Sequence, residues 1–317
     1  MSEVKNILVL GGGGFLGFNF LEEIISTDTS KKYNITVFAK SHSELLDKLA
    51  ATNSNVKIVR GNYRNINEIS EASKNQDIVY HFISETYPHN SWNNPGIEIE
   101  TTFIPTLRLL ETLVKCKVKK IVFLSSAGTV YGFNSNKLNE ETITNPFSPH
   151  GIFKLTIENF LNYYHHLYNL NYDIYRIANA YGPNQDINKG LGFINTTINN
   201  IIKSKEAVIY GDGSIVRDYI YVKDIARLLA LSLTKSISDS SLYIVSSGKE
   251  YSLNQLVQKI REIIPIEFKL KYIENRASDN KVVSLDNNKI MKLFPGFAFQ
   301  SLEEGIKATY DFIKASK

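Results

Sequence analysis

Cysteine is all but missing from this chain: Cys116 is the only one in 317 residues. A single thiol excludes an internal disulfide framework and fits a reducing compartment, and its Leu-Val-Lys-Cys-Lys-Val setting suits a packed helix end. Long apolar runs are missing too; none reaches the roughly 20 residues that span a bilayer. The first expected strand begins almost at Met1, which leaves no space for a signal peptide, so the expected location is the cytoplasm. Charge of one sign is also scarce. Lys and Arg number 36 against 32 Asp and Glu, a net +4 with no long run of either. That balance argues against a nucleic-acid or membrane partner and for a small ligand. No repeat or low-complexity tract is present, although Asn, Ile and Lys are abundant. Hydrophobic residues, at 43%, are ample for a sizeable core in one large α/β unit or two domains.

What is present begins with four glycines, Gly11 to Gly14, followed by Phe15-Leu16-Gly17. The apolar strand candidate Asn6 to Leu10 stands before them and an amphipathic stretch, Phe18 to Ile25, after them. Gly11 permits a tight strand-to-helix turn, Gly14 lets the backbone approach a pyrophosphate, and Gly17 lets the helix pack on the strand. The helix N-terminus then faces the phosphates. The pattern therefore predicts dinucleotide binding. Further strands are expected over Ile35 to Ala39, Val56 to Arg60, Asp77 to Ile83, Ile121 to Ser125 and Tyr172 to Ala180, alternating with helices. That alternation means a doubly wound parallel sheet, an α/β fold of Rossmann type. A helix over Ile97 to Lys115 is interrupted by Pro105, which predicts a kink or a late start. After Tyr181-Gly182-Pro183-Asn184 the rhythm breaks. A dinucleotide-binding domain over 1–180 and a smaller substrate-binding region over 181–317, with segments interleaved, are the expected division.

Chemistry gathers where the fifth strand ends, in Ser125-Ser126-Ala127-Gly128-Thr129-Val130-Tyr131-Gly132. Hydroxyls at a strand's carboxyl end meet the ligand crevice of an open parallel sheet, so Ser126 and Thr129 could bond a reacting alcohol or ketone; a capped turn is the alternative. Further on, His150 and Lys154 lie one helical turn apart on the same face. That spacing suits a proton-transfer group with a cationic helper.

These motifs, with Arg176-Ile-Ala-Asn-Ala-Tyr-Gly-Pro-Asn-Gln185, the Ile209 to Asp224 stretch and Arg276-Ala277-Ser278-Asp279, resemble in their order the extended short-chain dehydrogenase/reductases, specifically the nucleotide-sugar epimerase/dehydratase group. The resemblance runs nearly end to end. It implies hydride transfer between NAD(P) and a hexose carbon, usually C4, of a nucleotide-diphosphate sugar. It implies a cofactor site made by Gly11, Gly14, Phe15, Leu16, Gly17, Ala39, Lys40, Ser41, Asn62, Tyr63, Phe82, Ile83 and Lys154, the last on the nicotinamide ribose. Asn179 would touch the sugar or its diphosphate, Arg217 and Arg276 would clamp the diphosphate, and Asp279 would sit near the substrate ribose. Arginine forks suit a diphosphate and a carboxylate suits a ribose hydroxyl pair. For Arg217 the alternative is a surface pairing with Asp218 or Asp212. No residue is assigned to a metal.

The chain departs from the family at three places. His150 stands where the family has the tyrosine of its Tyr-x-x-x-Lys pair. A phenol beside a lysine has its pKa drawn down from about 10, whereas imidazole, starting near 6.5, is pushed lower by Lys154 and an oxidised nicotinamide, so it is neutral at pH 7 and able to accept a proton. His150 as substitute base, water or Thr129 in its place, and a binding protein with poor turnover are the three readings. Ala127 stands where the family has its catalytic Ser or Thr, so Ser126 or Thr129 must substitute. At the end of the second strand, Phe38-Ala39-Lys40-Ser41 holds no carboxylate for the adenosine 2′-hydroxyl. NADP(H) is therefore admitted, while family frequency favours NAD. Asn62 for an aspartate and Thr102 for an asparagine weaken the cofactor contacts. A 4-epimerase is the leading expectation, an NADPH-dependent 4-ketosugar reductase the alternative. The helix from His150 to Tyr168 carries more apolar surface than one buried stripe needs, which together with the family habit predicts a homodimer.

Overall fold

Strand and helix alternate from the start of the described chain, and the strands return each time to one sheet. The computed structural model describes residues 5–27, 32–84, 92, 94–134, 137–274 and 281–316. The first half contains β1 (Lys5–Leu10), α1 (Phe15–Ser26), β2 (Tyr33–Ala39), α2 (Glu44–Thr52), β3 (Val56–Arg60), α3 (Ile66–Ser73), β4 (Ile78–His81), α4 (Ile104–Lys115), β5 (Lys120–Ser126), α5 (Pro149–Tyr168) and β6 (Asn171–Ile177). The second contains β7 (Asn179–Tyr181), α6 (Phe193–Ile202), β8 (Ala207–Tyr210), β9 (Val216–Tyr221), α7 (Val222–Ser232), β10 (Ser241–Val245), β11 (Glu250–Ser252), α8 (Leu253–Ile263), β12 (Leu270–Ile273) and α9 (Leu302–Ala315).

Seven strands form the main sheet in the order β10-β6-β5-β4-β1-β2-β3, every neighbouring pair parallel. This is the doubly wound Rossmann arrangement, whose ligand crevice opens at the carboxyl ends where the order reverses, between β1 and β4. Its strands read as continuous apolar runs because both faces are covered. Ile7 and Val9 pack with Phe20, Leu21 and the α7 residues Leu228 and Leu229, while Leu8 and Leu10 pack on the other face with Leu109, Leu110, Ile157 and Leu161. A further core, around Tyr181, Ile194, Ile198, Ile209, Leu256, Ile260 and Ile306, belongs to the second half. Two small sheets, β11-β9-β7 and β12-β8, border it. No helix among the described residues is long and apolar enough to cross a membrane.

Two expectations change, and the late start expected at Pro105 is found with more detail. The stretch Tyr172 to Ala180 is not one strand. Ala178 still donates its N–H to Val245 of the main sheet, but Asn179 pairs with Tyr219 of β9, so the chain changes sheets within one residue. The strand expected over Asp77 to Ile83 ends at His81. Phe82 and Ile83 are its continuation without ladder partners on both sides, and Phe82 donates to Leu10. The helix expected over Ile97 to Lys115 has three parts: a helical turn at Pro95–Glu98, a π-helical stretch at Ile99–Phe103, then α4. Pro105 has no N–H, so the regular bond to the Thr101 carbonyl cannot form; the turn widens instead, and Ile104 donates to Ile99.

Candidate active site

The turn after β1 has the shape a pyrophosphate needs. Gly11 holds φ +81°, and a Cβ at Gly17 would lie 2.4 Å from the Gly11 carbonyl oxygen, so the helix can approach the strand only with glycine there. Gly14 is the extended N-cap of α1 and supplies no side-chain cap. The first-turn N–H groups of α1, at Phe15, Leu16 and Gly17, are left for an anion. The residues present therefore fit a dinucleotide. Around this turn, Ile83 lies beside Gly11, while the Phe82 ring packs on Phe20 and Tyr80. Tyr63 turns inward: its hydroxyl meets His81 Nε2 at 2.7 Å and Thr106 Oγ1 at 3.0 Å, which leaves only its backbone for a cofactor. Asn62 is exposed and caps the local turn by accepting from the Arg64 N–H. At the end of β2, Ala39 is buried while Lys40 and Ser41 are exposed; the Arg60 guanidinium donates to the Ser41 carbonyl and to Asp47.

The second group of residues sits where β5 meets α5. Ser148 caps α5 by accepting from Gly151 N–H at 3.1 Å, and Pro149 opens the first turn. A Cβ at Gly151 would come within 2.3 Å of the Thr129 carbonyl oxygen, so the one-turn helix Ala127–Val130 presses directly on the start of α5. Ser126, the N-cap of that short helix, makes no capping hydrogen bond, which removes the capped-turn alternative for it. Thr129 Oγ1 is buried without a hydrogen-bond partner among the described residues. Ser125, by contrast, donates to Glu158 and is spoken for.

His150 and Lys154 are both 7% exposed. Lys154 Nζ donates to the Leu124 carbonyl at 2.8 Å and lies 4.7 Å from the centre of the Phe123 ring. Burial draws the Lys154 ammonium down to about 8, against the opposing pull of Glu98 and Glu158. The His150 imidazole is also held below its ordinary 6.5, first by burial and then by the Lys154 charge. Sequence reasoning had the direction and the Lys154 contribution, but missed the larger cause, burial, and missed the opposing group altogether. That group is Glu98, 1% exposed, with Oε1 3.5 Å from His150 Nδ1. Nothing in the local pattern Gly-Ile-Glu-Ile-Glu distinguishes Glu98 from Glu100 as the inward carboxylate.

Behind the site lies a saturated ion pair that sequence reasoning also missed. Arg176 donates to Glu158 Oε2 at 2.6 Å from Nη2 and at 3.2 Å from Nε, and to the Tyr131 hydroxyl at 2.8 Å. Burial pushes the Tyr131 phenol up to about 12.

Across the crevice, Asn179 and Arg217 line one cavity of about 600 Å³, together with Gln185, Phe193, Thr197 and Tyr210. Asn179 donates to the Asp218 carbonyl at 2.8 Å and Arg217 to the Val216 carbonyl at 2.8 Å. The Asp218 carboxylate is engaged elsewhere, accepting from Ser247 and Gly248, and burial pushes it up to about 6. The link between cavity and strand end is short: Ser126 stands opposite Ile177, two residues before Asn179. Arg276 and Asp279 lie outside the described residues.

Known proteins resemble this chain over nearly its whole length. The UDP-glucose 4-epimerase of Thermotoga maritima, solved with UDP-glucose, superposes with a TM-score of 0.88 at 30% identity, covering 98% of this chain and 99% of that one. The UDP-N-acetylglucosamine 4-epimerase of Methanobrevibacter ruminantium M1, in complex with UDP-N-acetylmuramic acid, gives 0.88 at 27% identity, covering 99% and 100%. The UDP-glucuronate 4-epimerase of Thermodesulfobacterium geofontis is 28% identical, over 97% of this chain and 95% of that protein. With residues 7–245 matching the family's own pattern, the chain belongs to the NAD dependent epimerase/dehydratase family.

Proposed function

We propose that the protein is a nucleotide-diphosphate-sugar 4-epimerase, in which a dinucleotide-binding unit over 1–180 and a substrate unit over 181–317, partly interleaved, hold cofactor and sugar against each other. A nicotinamide held at the turn after β1 and by Lys154 would supply reversible hydride transfer at C4 of the hexose. The chain's own residues do the rest. Asn179 and Arg217 hold the nucleoside diphosphate in their shared cavity, with Arg276 and Asp279 added by the family resemblance. Lys154 binds the nicotinamide ribose with the N–H donors left after its bond to Leu124. His150 takes the proton of the 4-hydroxyl and gives it back, and Ser126 or Thr129 bonds the same oxygen. One observation carries this reading: the Lys154-anchored end of β5 runs, through the Ser126–Ile177 pairing, into the cavity wall at Asn179. The named activities of the relatives support the choice of C4.

A second reading, an NADPH-dependent 4-ketosugar reductase, is favoured by the exposed Lys40 and Ser41 and by Arg60 beside them. Asp47 counts against it, since Arg60 would have to leave that carboxylate to meet a 2′-phosphate. The exposed apolar residues Ile152, Tyr163, Leu167 and Tyr168 on α5 support a homodimer, for which sedimentation gives the test.

Mass spectrometry of nucleotides released from freshly purified protein, paired with turnover of UDP-hexoses without added reductant, separates the readings. Retained NAD and interconversion of C4 epimers are the expected results. Release of NADP with oxidation of added NADPH only by a ketosugar replaces the epimerase with the reductase. Binding of UDP-sugars with no turnover of any kind leaves a binding protein.

A further inference from the structure

The family's tyrosine is not replaced by histidine alone. We propose that Glu98 is a positioning residue for His150: it receives Nδ1–H, fixing the tautomer that leaves Nε2 to the substrate, and it balances the imidazolium that forms when Nε2 takes the proton. The proposal rests on the reading of His150 as the proton-transfer group.

Geometry comes first. Glu98 Oε1 lies 3.5 Å from Nδ1, and both side chains are nearly closed off from water, at 1% and 9%. Nδ1 is buried without a formed hydrogen bond among the described residues, and the Glu98 carboxylate at 3.5 Å stands just beyond bonding distance of it. Two charged groups face the ring among the described residues: Glu98 from the helical turn before the π stretch, and Lys154 from the ring's own helix. Lys154 alone makes an imidazolium expensive. Glu98 offsets that cost, and its charge reaches Lys154 as well.

Local structure supports a built position. Glu98 directly precedes the π-helical stretch Ile99–Phe103, the irregularity that Pro105 makes necessary, and such widened turns recur at functional sites. A phenol has one oxygen that both accepts and donates. An imidazole has two nitrogens, and one must be committed before the other has a defined role. The residue change at 150 therefore calls for a second group, and Glu98 answers it. The proton step balances by itself: the 4-hydroxyl O–H bond breaks, the proton passes to Nε2, and the same proton returns to the same oxygen.

The test combines ring ¹⁵N NMR with kinetics on the full chain, the His150 signals being those lost in His150→Phe. In the wild-type protein the expected spectrum has a protonated Nδ1 and an unprotonated Nε2 at neutral pH. In Glu98→Gln the ring's titration moves to lower pH, and kcat falls about 100-fold while KM for the nucleotide sugar holds. An Nε2–H tautomer in the wild type, or a His150 titration untouched by Glu98→Gln, overturns the proposal, and the wild-type spectrum decides even if the variant fails to fold. Full turnover in His150→Phe overturns the underlying reading instead.

Discussion

Glu98 and Glu158 are both buried carboxylates packed along α5, yet the groups they meet on that helix and its neighbours differ. Glu158 is saturated: Arg176 meets it from two nitrogens, Ser125 donates to it, and Tyr131 closes the network on the far side of the guanidinium. Glu98 faces an imidazole at 3.5 Å, a distance that leaves the pair short of a settled hydrogen bond. A saturated pair gains nothing from moving a proton and loses heavily if a partner is removed. A slack pair beside a titrating ring can tighten when charge arrives. The first holds β5, α5 and β6 together, and the second is placed where chemistry needs an adjustable charge.

Breaking each pair separates these roles. His150→Phe should cost about 10²–10⁴-fold in kcat while calorimetry shows the nucleotide sugar still bound, since general acid–base catalysis is worth about that much. Equal turnover would move the proton to Thr129 or water. Glu158→Ala should cost stability, about 3–5 kcal/mol in urea unfolding, because the Arg176 charge is left buried and alone. The activity of the molecules that stay folded should hardly change on the acid side of the profile, while its alkaline limb moves to lower pH because Glu158 no longer supports the Lys154 charge. A loss in kcat at full stability would place Glu158 among the functional groups and collapse the contrast.

Titration sharpens the same comparison. His150 starts below 6.5, so acid protonates it only below that value, and the rate falls there because the ring no longer accepts a proton. Lys154, near 8, loses its charge as the pH rises through that value, and the rate falls again. A kcat/KM profile with a plateau between these limbs is expected, and Lys154→Arg should carry the alkaline limb upward, since guanidinium does not titrate there. The smallest effect belongs to the cavity. Arg217→Lys should raise KM about 10-fold and leave kcat alone, because a point charge replaces a fork without touching the reacting carbon.

The parts of this molecule that were legible in sequence are those where one residue type answers one steric demand. Gly11 and Gly17 announced the turn because nothing with a Cβ fits there, and the apolar run to Leu10 announced a strand covered on both faces. His150 and Lys154 were legible as a pair because helical spacing alone brings them to one face. Glu98 was not, because its partner lies 52 positions away and only the packing of the Pro95 turn on α5 joins them. Glu158 and Arg176 escaped for the same reason. The break after Ile177 was hidden differently: Ala178 and Asn179 are as compatible with continuing a strand as with leaving it, and the competing partner, Tyr219, is remote in sequence.

That changeover has a consequence for how the chain can vary. Between Ile177, laddered to β5, and Asn179, in the wall of the cavity, stands a single amino acid. One extra residue there would reverse which side of the ribbon each following side chain occupies. Chain length at this crossing, rather than the chemical nature of what fills it, is therefore what keeps the end of β5 and the cavity wall in register.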